Sequence, residues 1–189
     1  MNGLNWSRIT TDQFRQYLPY ACMWVVEQER FILENGIPLT APQLSDAKLA
    51  RVSHPERVRL LRVEQVPNPQ HPGLRAAAEA LKLITPATPG LALRYGLFIR
   101  SACWGLRQLV VHELAHTAQY ERLGSIRAFL ECFLFECVAI GYPSAPMEQE
   151  AIAVERQICG PSPSRGLALP TMPDLPTAKP PAKSRRTRR

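Results

Sequence analysis

Residues 106–120 carry two stripes that face nearly opposite ways. Leu106, Val110, Leu114 and Ala118 recur every fourth residue on one side, and Gln108, His112, His116 and Tyr120 do so on the other. That spacing predicts a helix with one side packed in a core and the other bordering a cleft. Gly124 supplies a stop signal. Ser125 is a good N-cap, and Ile126, Phe129, Leu130, Phe133, Leu134, Cys137 and Val138 follow a strong amphipathic helical pattern as far as Gly141. Arg127 and Glu131 can pair on its outer side. A last helix is predicted from Pro146, where proline suits the first helical position, with Met147, Ala151, Val154 and Ile158 buried and Gly160 closing it.

Upstream, residues 12–35 read as helical with a break before Pro19, and Gly36 ends the segment. A short helix is expected around 42–51, a strand within 57–66 between Pro55 and Pro67, and an alanine-rich helix over 74–83. Residues 91–100 alternate. Leu91, Leu93, Tyr95, Leu97 and Ile99 point one way, and Ala92, Arg94, Gly96, Phe98 and Arg100 the other. With Pro89 and Gly90 ahead of it, this reads as one strand running straight into the helix that follows. Such a strand can form an edge with which an extended peptide pairs, and Gly96 would allow close backbone approach.

The chain has 189 residues, 46% of them hydrophobic, enough for one domain with a real core. Its formal charge of +7 is unevenly spread. Residues 161–189 hold seven Arg or Lys, one Asp and seven prolines, whereas residues 1–160 hold 16 basic and 15 acidic residues. The expected organisation is a folded, nearly neutral domain over 1–160 and a disordered, Pro-rich basic tail over 161–189. Five cysteines (Cys22, Cys103, Cys132, Cys137, Cys159) give an odd count with no Cys-x-x-Cys. They read as reduced, buried thiols in a reducing compartment, and their spacing argues against a cysteine zinc site. The N-terminus shows no secretory signal. The most apolar stretch, 126–140, is too short to span a bilayer and contains Glu131 and Glu136. A cytoplasmic protein without a transmembrane segment is expected.

The chemistry lies in His112-Glu113-Leu114-Ala115-His116. Residues four apart share a helical face, so both imidazoles can reach one metal ion. Glu113 is turned about 100° away. Its carboxylate falls beside the ion, where it can take a proton from water. This is the H-E-x-x-H arrangement of zinc metallopeptidases. A catalytic zinc takes three protein ligands and keeps one position open. His54 and His71 have no spacing that nominates them. Glu148 and Glu150 are the alternatives, and because they flank the apolar stripe of their helix at comparable angles, the wheel leaves both open.

The combination of His112-Glu113-x-x-His116 with a later Glu-x-x-Ala resembles the gluzincin group of zinc metallopeptidases, to which thermolysin belongs. It is closer still to small, largely uncharacterised bacterial predicted metallopeptidases with a Glu-x-Glu-Ala second motif. The resemblance covers roughly 91–158. It implies an α+β fold, a minimal zincin-like domain with a small sheet packed on active-site helices. It implies Zn2+ held by His112, His116 and Glu148, with Glu113 as general base in the hydrolysis of peptide bonds of a peptide or protein substrate. Ala151 would let the two active-site helices approach closely.

The chain also departs from its relatives. Ile152 stands where long-spaced relatives carry an aspartate that orients a histidine ligand. Gln119 and Arg122 stand where the metzincin continuation needs glycine and histidine. No second lobe is present to supply an oxyanion-stabilising group, which leaves Tyr142, Tyr120 and His71 as candidates. The rival reading is a non-catalytic metal-binding or interaction module that docks nucleic acid or an acidic partner through residues 161–189. That tail lacks interleaved aromatics, so base stacking is not indicated.

Overall fold

The computed structural model describes residues 11–160. The expectations for the tail at 161–189 lie outside the described residues. Among the described residues, six α-helices and four strands follow one another. They are α1 (Thr11–Asn35), β1 (Ile37–Pro38), α2 (Ala41–Leu49), β2 (Arg59–Val63), α3 (Pro72–Ala80), β3 (Gly90–Leu93), β4 (Gly96–Arg100), α4 (Arg107–Leu123), α5 (Ile126–Ala139) and α6 (Pro146–Cys159). The sheet order is β1-β2-β4-β3. β2 and β4 run parallel, while β1 pairs with β2 and β3 with β4 antiparallel. The fold is thus mixed α and β around a small sheet. No described helix is long and apolar enough to cross a membrane.

α1 passes through Pro19 without the expected break. Proline forfeits the one bond to the carbonyl four residues back. Leu18, Ala21, Val25 and Ile32, spaced by three, four and seven residues, share one face and are all buried, so packing holds the helix through that loss. The sheet separates two apolar clusters. Phe98 joins the α1 residues, Tyr120, Phe129 and Leu130 on one face. Leu97 and Ile99 join Ala47, Val58, Val110 and Leu114 on the other. Gly96 is where α1 touches the sheet, since a Cβ there would meet the Ile32 side chain at 2.9 Å. Its close approach therefore serves the core, not an incoming peptide.

The single strand expected over 91–100 is in fact a hairpin. Leu93 pairs with Gly96 across a two-residue loop, Arg94-Tyr95. The apolar set Leu91, Leu93, Tyr95, Leu97 and Ile99 is accordingly split, with Leu91 and Leu93 in one cluster and Tyr95, Leu97 and Ile99 in the other. The loop needs a left-handed residue, and Arg94 supplies it at φ 57 where glycine is usual. Contacts from two helices hold it there. The buried Glu29 carboxylate of α1 accepts from Arg94 Nε at 2.8 Å and from the Tyr95 amide at 3.3 Å. Thr117 of α4 donates to the Arg94 carbonyl at 2.8 Å.

The helices downstream end where the sequence indicates. Ser125 Oγ accepts from the Ala128 amide at 3.1 Å, and Gly124 takes the left-handed position that ends α4. Glu29→Ala should lower the unfolding free energy by about 2–3 kcal/mol, because it strands the Tyr95 amide and the Arg94 guanidinium together. Urea denaturation checks this, and a loss below about 0.5 kcal/mol would mean the turn holds itself.

Candidate metal centre

α4 is polar and yet buried along most of its length. His112, Glu113, His116, Thr117 and Gln119 are all buried. They can be, because α6 packs along α4 and supplies partners. Ala151 is fully buried. A small side chain at that place lets the two helices lie close, and Glu148, one turn earlier on α6, comes under both imidazoles. His112 Nε2 lies 3.4 Å from Glu148 Oε1, and His116 Nε2 lies 3.3 Å from Glu148 Oε2. The two rings stand nearly perpendicular, with centroids 4.9 Å apart. One ligand atom from each of the three residues falls within 4.8 Å of the others.

These separations suit an ion between the groups. Bonds of about 2.0–2.1 Å in a tetrahedron put donor atoms about 3.4 Å apart. Glu148 Oε1 is buried without a hydrogen-bond partner, which a buried carboxylate oxygen does not tolerate cheaply. The charge balance points the same way. Burial would raise the Glu148 pKa, yet the two imidazoles hold it well below the carboxylate range. Burial works against a proton on His112, but Glu148, Glu155 and Glu113 outweigh it and push its pKa up to about 10. Burial raises Glu113, opposed by both imidazoles and by a hydrogen bond from the Ala92 amide. Three buried carboxylates around two imidazoles thus favour added positive charge, and a divalent cation fits the donor set.

The other two ring nitrogens are also engaged. Gln119 Nε2 donates to the Met147 carbonyl at 2.8 Å and to Glu150 Oε2 at 3.0 Å. That fixes which way the amide points, so its Oε1, 2.8 Å from His116 Nδ1, must accept. His116 therefore carries a proton on Nδ1, and Nε2 is the nitrogen that faces Glu148. Glu150 is itself gripped by Arg122 at 2.6 and 2.7 Å. Glu155 Oε2 lies 3.4 Å from His112 Nδ1, at ion-pair distance though without hydrogen-bond geometry.

The structure brings His112, Glu113, His116 and Glu148 together and turns Glu150 away toward Arg122. Sequence reasoning missed Glu155 and the role of Gln119. Where Ile152 offers no carboxylate, Glu155 brings one to ion-pair distance of His112 Nδ1; it lies seven residues and two turns after Glu148, a spacing that puts both on one face. Gln119 lies three residues after His116, and that offset was its only signal.

A cleft of about 700 Å³ opens onto these residues, its walls made largely of apolar side chains from α1, α3, β3 and α5. Of the three oxyanion candidates, Tyr142 borders the cleft. Tyr120 also touches it but is 2% exposed and stacked on Phe129 at 3.5 Å, a core position. His71 does not border it and instead caps α3 and stacks on Tyr20. His54 faces Glu56 at the surface. All five cysteines are free, and Cys137 is buried.

No protein family, curated protein or solved structure matches this chain. The case for its chemistry therefore rests on the geometry of these side chains.

Metal content of the purified variants tests the assignment. Glu148→Ala should lose the ion, and Glu150→Ala should keep it. Gln119→Leu should weaken binding about 10–100-fold in a chelator competition, the usual effect of removing an orienting partner.

Proposed function

We propose that this chain is a zinc-dependent metallopeptidase of gluzincin type, with its zincin-like domain in residues 1–160. The observation that carries the reading is the convergence of His112 Nε2 and His116 Nε2 on the Glu148 carboxylate at the floor of an open cleft, with Glu113 alongside. Two imidazoles and one carboxylate form a donor set that catalytic zinc uses. A bound zinc ion would supply Lewis acidity, polarising a peptide carbonyl and making water a nucleophile near neutral pH.

The chain's own residues do the rest. Glu113 is positioned as the proton acceptor. The Ala92 amide of β3 holds its carboxylate, and Gly90 leaves room for it, since a Cβ there would lie 2.9 Å from Glu113 Oε1. Glu113 takes the proton from water and delivers it to the leaving amine. Gln119 and Glu155 hold the imidazoles in orientation. β3 is an edge strand next to Glu113, so an extended substrate can add to it through backbone hydrogen bonds. The edge role expected of the whole 91–100 segment thus falls to β3 alone, Gly90–Leu93.

Glu113→Gln should retain zinc and lose turnover by about 10²–10⁴-fold on a peptide mixture read by mass spectrometry. Gly90→Ala should also keep the metal and lose rate, because its Cβ displaces the carboxylate. A Glu113→Gln protein with zinc and undiminished turnover would refute the general-base role.

A further inference from the structure

Arg100, the last residue of β4, borders the same cleft as Glu113 and the three candidate ligands. Its Nη1 donates to the Pro86 carbonyl at 3.2 Å, and its Nη2 lies 3.9 Å from the Cys103 sulfur. Its Nε is buried with no partner. None of these contacts is with an acid. By contrast, Arg94, Arg107 and Arg122 each face a carboxylate at 2.6–2.8 Å. A guanidinium at the edge of an apolar cleft, with no counter-ion among the described residues, suits an anion that arrives from outside.

The hairpin gives that anion a direction. The Arg100 amide donates to the Pro89 carbonyl at 2.8 Å, so residues 89 and 100 form a bonded pair. The register then turns the backbone groups of Gly90 and Ala92 away from β4, toward the outer edge of the sheet, where Glu113 takes the Ala92 amide and the remaining groups face the cleft. A peptide added antiparallel to β3 runs with its C-terminus toward the Pro89 end, which is the Arg100 end. Glu113 sits beside Gly90 and Ala92, so residues beyond the bond under attack pass toward Arg100. Leu74, Leu83 and Leu91 line the same cleft and suit an apolar side chain.

Building on the hydrolytic reading above, we propose that Arg100 receives the free C-terminal carboxylate of the substrate and that the enzyme trims one or two residues from peptides with apolar C-termini. In the step itself a C–O bond forms from water, the C–N bond breaks, and the water proton passes through Glu113 to the departing amine. No further co-reactant is needed.

The test uses two N-acetylated tetrapeptides ending in phenylalanine, one a free acid and one a C-terminal amide. Binding is measured on the zinc-loaded Glu113→Gln protein, and cleavage on the unsubstituted protein. The acid should bind about 10–100-fold more tightly than the amide, as expected of hydrogen bonds to a charged group, and should lose residues from its C-terminus. Arg100→Gln in the same background should bring the acid down to the amide. Arg100→Lys, which keeps the charge and loses the fork, should fall between, whereas disruption of the Pro86 loop alone would weaken both peptides together. Equal binding of acid and amide, or a preference that survives Arg100→Gln, would overturn the proposal. A preference without any turnover would sink the hydrolytic reading and leave the Arg100 subsite standing. Cleavage of internal bonds with no acid preference would do the reverse.

Discussion

The close packing of α6 along α4 is the constraint from which the rest of the site follows. It places Glu148 beneath two imidazoles that one helical turn has already aligned. It also seals five polar side chains of α4 away from water. Such burial is expensive unless every group finds a partner. Here the partners come from α6 and the sheet: Glu148 and Glu155 for the imidazoles, the Met147 carbonyl and Glu150 for Gln119, the Arg94 carbonyl for Thr117, and the Ala92 amide for Glu113. Of the four buried polar atoms without a hydrogen bond among the described residues, His112 Nδ1 and Glu148 Oε1 belong to the His-His-Glu cluster, and Arg100 Nε and Asn68 Oδ1 lie outside it. The unsatisfied Glu148 oxygen faces His112 Nε2 within the group of side chains that could hold a metal ion.

Orientation reaches His116 through a chain of contacts that begins at the surface. Arg122 grips Glu150, Glu150 and the Met147 carbonyl together fix the Gln119 amide, and the amide then selects the imidazole tautomer. Each step uses up one donor or acceptor, so no alternative amide orientation satisfies the set. Glu150 and Glu148 are two residues apart on one helix and have opposite tasks. One faces solvent and an arginine and steadies the scaffold, and the other faces the imidazoles.

Glu113 ties the helix to the sheet. Its carboxylate accepts from the edge strand at Ala92 and fills the space that Gly90 leaves open. The hairpin that carries this edge turns at a left-handed arginine held by Glu29 and Thr117. The Glu113 carboxylate, the β3 edge and a left-handed turn therefore share one small structural unit, and α1 and α4 both brace it.

Much of this architecture could be read along the chain because helical period, capping and turn chemistry act over a few residues. The stripes in 106–120 (except Leu106, which lies half exposed just before α4), the Ser125 cap, Pro146 at the start of α6 and the two histidines one turn apart are local facts, and the structure keeps them. Where partners from distant segments decided the outcome, the sequence was silent or misleading. The 91–100 alternation carried no glycine at its turn, because Glu29, far away in α1, stabilises a residue that local preference would not choose. The helical wheel could not separate Glu148 from Glu150, since a wheel gives angles about one axis and says nothing about where the neighbouring helix lies. Glu155 and Gln119 acquire their roles only once α6 is seated on α4. The sequence by itself determined which groups could share a face, and the tertiary packing decided which faces meet, because contact between elements depends on their mutual rotation and distance, which no local spacing encodes.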